Sequence, residues 1–333
     1  DFFKTRYAAI LMDGSLYIWG YDYVETKESY SIISPQKIMD NIKDIAIGVD
    51  HYVALSKDGT LYTWGRNDCG QLGMGKEDNI IHDIPQSVLK NVKAIAAGEY
   101  TTYAVLTNGD LYYTGNMMSW CNWDYCSFKT NFNFYTNNVK ELSVDSDNHI
   151  TIITDNNKLY TLGCTGDDDW DNYKETSSYS MQYIMDNIIK ADVSNRDFFA
   201  IDKSGNLYIW GAITNNAIPQ KIMENIVDAD LQDGRLYFID KNGYVYYVGT
   251  KDVIQSVLGG YIQIASRCKD LYLPNWGKYF GYITQDGDLY MYGENTSGML
   301  GNGTNEDNLE YSCILHNAKQ FIDIHSSRKM GAI

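Results

Sequence analysis

Apolar and polar residues alternate in short segments along the chain, and one arrangement of them returns seven times. Each copy begins with a turn pair such as Asp-Gly or Asn-Gly and continues with Leu or Val, Tyr, two further residues and Gly, as in DGTLYTWG (58–65). Such pairs readily adopt the positive φ angles of a tight β-hairpin turn. The repeated tyrosines are Tyr17, Tyr62, Tyr112, Tyr160, Tyr208, Tyr246 and Tyr290.

Each copy belongs to a longer unit of about 40 to 50 residues, a period that is typical of repeat architectures. A short apolar strand precedes the turn, as in HYVAL (51–55), and a weaker strand follows after a variable loop, as in PQSVL (85–89). An apolar run such as VKAIAAG (92–98) then leads into the next copy. The pattern predicts four short strands per unit and contains no helical period.

The strand after each turn carries large side chains on both of its faces. In the second copy, Leu61 and Thr63 point to one side, and Tyr62 and Trp64 point to the other. Sheets that stack radially cover both faces and leave only short edges. The predicted fold class is therefore all-β, a seven-bladed β-propeller of four-stranded antiparallel blades. The predicted core tryptophans, which share one register, are Trp19, Trp64 and Trp210.

The two ends of the chain are predicted to close the ring. The chain starts with a strand that precedes a hairpin, so blade 1 (1–40) lacks an innermost strand, and residues 320–326 supply an additional copy of that strand. Residues 1–333 then form a single propeller domain. The other blades are predicted at 41–90, 91–140, 141–187, 188–225, 226–258 and 259–319. No signal peptide is visible and the sequence starts at Asp1 without Met, so we expect a mature form or a domain excised from a longer protein.

The formal net charge of −16 restricts the class of partner. Nucleic acids and anionic membranes require Lys and Arg, so neither is an expected partner. The apolar runs are too short for a membrane span, which argues against membrane insertion. The negative charge would favour a basic protein or a metal as a partner. Alternatively, the acidic surface only keeps the protein soluble. We expect a monomer without a cofactor.

The candidate site lies in the loops that follow the repeated glycines and in those that precede the hairpins, which should emerge at the same end of the ring, because the hairpin turns are short and uniform. The loop at 116–138 is rich in aromatic residues, which are favoured at protein-binding hot spots. The same side chains would also suit packing of the loop against itself or against a neighbouring blade. The predicted partner-binding residues are Trp120, Trp123, Tyr125, Trp170, Trp276, Arg66 and Asp68.

Cysteines and acidic residues raise two further alternatives. Cys121 and Cys126 lie in the aromatic loop and could form a local disulfide, and the even total of six cysteines permits an oxidising compartment. The cysteines lack the paired CxxC spacing of a zinc site. The acidic run Asp167–Asp171 is either a calcium site or a solvated loop, and it lacks the spacing of a calcium-binding loop. We predict no bound metal.

Catalytic signatures are missing from the sequence. It contains no GxSxG, HExxH or phosphate-loop motif, and its five histidines are far apart. His51 and His149 occupy the same position of the repeat and are predicted to hydrogen-bond loop backbone. We therefore predict that the protein is not an enzyme.

Residues 48–75, GVDHYVALSKDGTLYTWGRNDCGQLGMG, resemble the regulator of chromosome condensation repeat, including its WGxNxxGQLGxG signature. Residues 293–303, GENTSGMLGNG, resemble that signature again. The resemblance extends over the chain and implies a seven-bladed propeller. The founding member of the family is a guanine-nucleotide exchange factor with a basic tail, and the plant UV-B receptors carry a Gly-Trp-Arg-His-Thr motif; this chain has neither feature. The Asn, Tyr, Ile and Asp bias is most similar to secreted bacterial members, one of which inhibits β-lactamases.

These observations predict a non-enzymatic protein-recognition module that binds a partner protein through an aromatic-rich loop face, with inhibition of the partner as one mode of action. The predicted location is the outside or surface of a bacterium, and the alternative is the cytoplasm. Two other functions stay open: nucleotide exchange on a small GTPase, and glycan binding at a cell surface.

Overall fold

The computed structural model describes residues 6–22, 30–117, 129–145, 148–162, 181–211, 214, 216–232, 235–248, 262–265, 268–272, 279–295, 300–304 and 306–323. Within these ranges the chain forms seven four-stranded antiparallel sheets and no helix. The predicted all-β, seven-bladed propeller is confirmed.

Every blade has one innermost strand, two middle strands and one outermost strand, in that order. Blade 1 contains β28 (Ala318–Asp323), β1 (Arg6–Leu11), β2 (Leu16–Asp22) and β3 (Tyr30–Met39). Blade 2 contains β4 (Ile42–Ile47), β5 (His51–Ser56), β6 (Leu61–Asn67) and β7 (Asp78–Leu89). Blade 3 contains β8 (Val92–Ala97), β9 (Thr101–Leu106), β10 (Leu111–Gly115) and β11 (Lys129–Thr136). Blade 4 contains β12 (Val139–Val144), β13 (Ile150–Thr154), β14 (Leu159–Leu162) and β15 (Gln182–Met185).

The remaining three sheets have the same order. Blade 5 contains β16 (Ile188–Ser194), β17 (Asp197–Asp202), β18 (Leu207–Gly211) and β19 (Asn216–Met223). Blade 6 contains β20 (Ile226–Gln232), β21 (Arg235–Asp240), β22 (Val245–Val248) and β23 (Ile262–Ala265). Blade 7 contains β24 (Cys268–Tyr272), β25 (Tyr279–Thr284), β26 (Leu289–Gly293) and β27 (Asn308–Leu315).

The C-terminal strand closes the ring in the predicted manner. β28 pairs antiparallel with β1, with Tyr7 opposite Asp323 and Ala9 opposite Phe321. The strand runs from Ala318 to Asp323 rather than over 320–326, and 324–326 lie outside the described residues. Blade 1 is thus built from both ends of the described chain.

Three predicted blade boundaries differ from the observed ones, and two of them were misplaced because an asparagine marks the junction between those blades. Val139 already belongs to blade 4, Ala318 to blade 1, and Ile262–Ala265 pairs with β22 as the outer strand of blade 6. The apolar run IQIA resembles an innermost strand, which explains the error at 259. The junction asparagines, whose φ angles lie between 58° and 64°, are Asn41, Asn91, Asn138, Asn187, Asn225 and Asn317.

Both faces of a blade are buried, as the alternation predicted. Trp64 packs with Tyr52, Ile10 and other residues in a cluster shared with blade 1. Leu61 lies in a cluster on the opposite face, which includes Ile95 from blade 3. Apolar burial between blades therefore holds the ring together. The core placement of Trp19, Trp64 and Trp210 is confirmed, since all are buried.

The hairpin turns lie together at one end of the ring, which we call the turn face. At each junction a turn residue accepts a backbone hydrogen bond from the first residue of the next blade, for example from Ile42 N to Gly14 O at 2.8 Å. The junction asparagine accepts a second one, from Lys57 N to Asn41 O at 2.8 Å. Equivalent pairs recur around the ring, as between Ile226 N and Gly205 O at 2.9 Å. The turns are uniform because their backbone links adjacent blades.

Candidate partner-binding face

The opposite end of the ring, which we call the loop face, carries the variable connections. Antiparallel pairing places two loops of every blade there: the loop between its first and second strands, and the loop between its third and fourth. The repeated glycine is the last residue of the third strand in blades 3, 5 and 7, and in blade 2 it lies two residues before the end of β6. At Gly65 (φ 106°) a Cβ would lie 2.5 Å from Asp50 O, and at Gly211 (φ 106°) it would lie 2.1 Å from Arg196 O. Only glycine permits this approach.

The loop that carries the repeat signature in blade 2, residues 66–77, is held by its own side chains. The buried Asn67 side chain accepts a hydrogen bond from Leu72 N at 3.2 Å and donates one to Lys76 O at 3.0 Å. The buried Gln71 side chain accepts from Cys69 N at 2.8 Å. These are the Asn and Gln of the signature, so their first role is to fix the shape of the loop.

The same loop is fastened to blade 3. Thr102 Oγ1 donates to Gln71 O at 2.7 Å, and Thr114 Oγ1 donates to Gly70 O at 2.8 Å. The amide of Gly75 donates to Thr130 O at 2.8 Å. The signature loop is therefore a clasp between neighbouring blades, and it presents a rigid surface at the loop face.

Blade 7 repeats the clasp against blade 1. The buried Asn295 side chain accepts from Leu300 N at 2.9 Å and donates to Thr304 O at 2.8 Å. Leu300 is buried in one cluster with Trp19 and Ala9 of blade 1. Two signature loops thus brace two of the seven junctions of the ring.

Arg66 extends from the blade 2 clasp with its guanidinium fixed by two carboxylates. Its Nε lies 2.7 Å from Asp68 Oδ2, and its Nη1 lies 3.6 Å from Asp50 Oδ2. The Asp68 side chain is 6% exposed and also accepts from Gln71 Nε2 at 3.0 Å, whereas the Arg66 side chain is 38% exposed. Asp68 therefore holds the Arg66 guanidinium in place, and the Arg66 side chain stays partly exposed.

Two residues of blade 3, Glu99 and Tyr100, adjoin this cluster. Val49 N donates to Glu99 O at 3.4 Å, which brings the two neighbouring turns together. Burial, followed by the Glu99 and Asp50 carboxylates, raises the pKa of Tyr100, so its phenol stays protonated and can donate a hydrogen bond. Asp50, Glu99 and Tyr100 were not among the predicted site residues. They immediately precede the second strand in consecutive repeats, and this shared position is the sequence feature that could have identified them.

The two repeat-register histidines are buried and have side-chain partners. His51 Nε2 lies 3.0 Å from Thr102 Oγ1, which joins blade 2 to blade 3. His149 Nδ1 lies 2.8 Å from Asp145 Oδ2 within blade 4. The sequence predicts backbone partners, whereas these two contacts are with a hydroxyl and a carboxylate. Both contacts stabilise the blades.

Of the predicted partner-binding residues, the structure describes Arg66 and Asp68 and brings them together. Several predictions lie outside the described residues: the aromatic site residues, the Cys121–Cys126 disulfide and the acidic run Asp167–Asp171. In the part of the chain that is described, no helix is long and apolar enough to span a membrane. The aromatic residues concerned are Trp120, Trp123, Tyr125, Trp170 and Trp276.

Family models match the region that contains the blade 2 clasp. The model of the regulator of chromosome condensation (RCC1) repeat matches residues 58–105, and a second model of the same repeat matches 42–71. Together the two models match residues 42–105. The structural purpose of the signature is visible in the contacts above, because its Asn and Gln shape a loop that joins two blades.

Solved structures share the fold at low sequence identity. Prp20p from Saccharomyces cerevisiae has a TM-score of 0.68 at 16% identity, over 94% of this chain and 87% of that one. Human WBSCR16 has a TM-score of 0.68 at 15% identity, over 94% of each chain. Yeast RCC1 (Prp20) in a complex with Kap60 has a TM-score of 0.67 at 16% identity, over 95% and 84%. These similarities support the propeller fold, and the similarity to the β-lactamase inhibitor stays a prediction.

Proposed function

We propose that the chain is a protein-recognition module that binds a partner protein through its loop face. The observation that carries this proposal is the clasp of blade 2, which holds a charged and partly exposed arginine on a loop fastened to the next blade. A preorganised loop loses little conformational entropy on binding, so its contacts contribute more to affinity.

The chemistry of this face suits a protein surface. Arg66 lies among Asp50, Glu99 and the protonated phenol of Tyr100, a mixture of charges and donors that is typical of the polar rim of an interface. In the sequence, the predicted aromatic residues follow the repeated glycines of blades 3 and 4 or precede the second strand of blade 7. We propose that they form the apolar centre of the interface.

The structural relatives support binding of proteins in general. The structure of yeast Prp20p was described together with its binding to Gsp1p and histones, and yeast RCC1 was solved bound to Kap60. We infer that this propeller also binds a protein partner, and the partners of the relatives do not identify it. A bacterial and extracellular location, and inhibition as the mode of action, belong to the same proposal.

The decisive experiment compares proteins retained by the immobilised chain and by two variants. We expect Trp120→Ala with Trp123→Ala to release the partner, since truncation of a hot-spot residue weakens binding by about 2 kcal/mol or more. Arg66→Ala should weaken binding less, mainly through slower association that depends on salt. The matched control is Tyr244→Ala, an aromatic residue 40% exposed on the turn face, which should leave retention unchanged. Equal retention by the loop-face variants and the wild type would contradict the proposal.

The relatives also keep nucleotide exchange as a second candidate, because a propeller of this fold binds Gsp1p. Release of a fluorescent guanine nucleotide from a panel of small GTPases tests it directly. If the chain accelerates nucleotide release and Arg66→Ala loses this acceleration, the function of the loop face is nucleotide exchange and not simple recognition. A glycan array, probed with the same variants, tests the remaining alternative.

A further inference from the structure

The repeat aligns three side-chain positions on the turn face, as the contacts in blades 1, 5 and 7 show. They are the residue before the third strand, the outer-strand residue opposite the repeated Tyr, and the residue three places later. In blade 1 these are Ser15, Lys37 and Asp40: Lys37 Nζ lies 2.7 Å from Asp40 Oδ1, and Ser15 Oγ donates to Asp40 Oδ1 at 3.0 Å. In blade 5 the last two form an ion pair between Lys221 and Glu224 at 2.6 Å.

Blade 7 places three metal-binding residue types at these positions: Asp288, Cys313 and His316. His316 Nδ1 lies 2.7 Å from Asp288 Oδ1 and 3.8 Å from Cys313 Sγ, and the three ligand atoms all lie within 4.8 Å of one another. The positions that form an ion pair in blades 1 and 5 therefore carry a carboxylate, a thiol and an imidazole in blade 7.

The backbone fixes all three residues. Asp288 closes the hairpin turn, where Thr284 N donates to Asp288 O at 2.9 Å and Asp288 N donates to Thr284 Oγ1 at 3.1 Å. Cys313 pairs with Tyr290, two residues beyond Asp288, so Cys313 and Asp288 share one face of the sheet. His316 precedes the junction at which Ala318 N donates to Gly287 O at 2.8 Å.

We propose that Asp288, Cys313 and His316 bind a Zn²⁺ ion on the turn face of blade 7. A mixed sulfur, nitrogen and oxygen set suits Zn²⁺, whereas Ca²⁺ and Mg²⁺ require oxygen ligands. With Zn–S of about 2.3 Å and Zn–N of about 2.0 Å, tetrahedral ligand atoms lie roughly 3.3–3.6 Å apart. The His316–Asp288 pair (2.7 Å) would have to lengthen to about 3.3 Å, and the His316–Cys313 pair (3.8 Å) would have to shorten to about 3.5 Å. The Asp288–Cys313 pair, which lies within 4.8 Å, would have to lie about 3.6 Å apart, and water would complete the fourth position.

The Asp288 carboxylate places negative charge beside the Cys313 thiol and the His316 imidazole, which suits a cation. Zn²⁺ binding forms the Zn–S bond, releases the thiol proton to solvent and changes no oxidation state. The His316 side chain is 75% exposed, which leaves the site open to an ion from solution. The site lies at the other end of the ring from the proposed protein-binding face, so the two proposals stand independently.

Calorimetric titration of the full chain with ZnCl₂, in the presence of a phosphine reductant, tests the proposal. We expect the wild type to bind one more Zn²⁺ per chain than Cys313→Ala or His316→Ala, with affinity at this site at least about 100-fold weaker in the variants. The matched control is His82→Ala, which removes a histidine 2.9 Å from Asp78 Oδ1, and it should leave Zn²⁺ binding unchanged.

A second measurement uses the wild type alone and does not depend on the folding of any variant. Alkylation of Cys313 by iodoacetamide, followed by peptide mass mapping, should slow at least about 10-fold in saturating Zn²⁺, because a metal-bound thiolate is shielded. Equal Zn²⁺ stoichiometry and affinity in the wild type and both variants would overturn the proposal. So would an unchanged rate of Cys313 alkylation.

Discussion

The two ends of this propeller differ in what their backbone does. On the turn face, the hairpin turns and junction asparagines form the same hydrogen bonds at one blade junction after another, as at Gly14, Asn41 and Gly205. On the loop face, the repeated glycines give each loop a fixed origin, but the loops themselves differ in length and sequence. Among the described loops, those of blades 2 and 7 that carry the signature form clasps of the same design.

This difference shows how to separate structural residues from candidate functional ones in a repeat protein. Residues that recur with the same contact, such as Asn67 and Asn295, hold the ring together. Other residues differ from the repeat although the backbone around them keeps the repeated structure. Such residues, for example Arg66 on the loop face and Cys313 on the turn face, are the candidates for binding. The experiments that follow test whether the recurring contacts are indeed structural.

The largest effect should come from replacing a glycine at the origin of a loop. Gly211→Ala places a methyl group 2.1 Å from Arg196 O at φ 106°, and we expect a loss of about 3 kcal/mol or more in the free energy of unfolding. The control is Gly303→Ala, where φ is also positive (80°) but no atom lies within 4 Å. It should lose only about 1–2 kcal/mol, from backbone strain alone. Urea unfolding measures both, and equal losses would show that the close approach has no structural role.

A smaller effect should come from loosening a clasp. Leu300→Ala removes a buried side chain that packs with Trp19 across the junction of blades 7 and 1, so we expect a loss of about 2–4 kcal/mol. The control is Ile84→Ala on an outer strand, where the side chain is 71% exposed and the change should stay within about 0.5 kcal/mol. If Leu300→Ala proved as mild as its control, the signature loop would not brace the ring.

The smallest effect concerns pH at the end of the blade 2 clasp. Burial alone would raise the pKa of Asp78, but hydrogen bonds from Lys76 and His82 outweigh it and lower that pKa to about 2. A carboxyl whose pKa is lowered on folding stabilises the protein above its unfolded pKa, near 4, and this contribution disappears as the pH falls towards 2. Asp78→Asn should therefore melt a few degrees below the wild type at pH 6, and this difference should shrink at pH 2. Asp83→Asn, on the same strand, is the control, and a deficit that is independent of pH would exclude this cause.

Local chemistry explains how much of the fold was predictable from the sequence. The turn pairs, the repeated Tyr and the repeated Gly each act within a few residues, so seven hairpins and the burial of Trp19, Trp64 and Trp210 followed directly. The surplus strand at the C-terminus indicated closure of the ring. The boundary between blades 6 and 7 was misplaced, because an apolar run such as IQIA suits an outer or an innermost strand equally well.

The candidate sites depended on contacts between distant parts of the chain. Sequence identified Arg66 and Asp68, but only the fold showed that Asp68 holds Arg66 and that Glu99 and Tyr100 adjoin them from the next blade. Likewise Asp288 and Cys313 meet because β26 pairs with β27 in one particular register. The sequence by itself determined the repeating hairpin, since turn chemistry and alternation are local. Only the tertiary structure decided which side chains share a surface, because that depends on strand pairing and on the packing of one blade against the next.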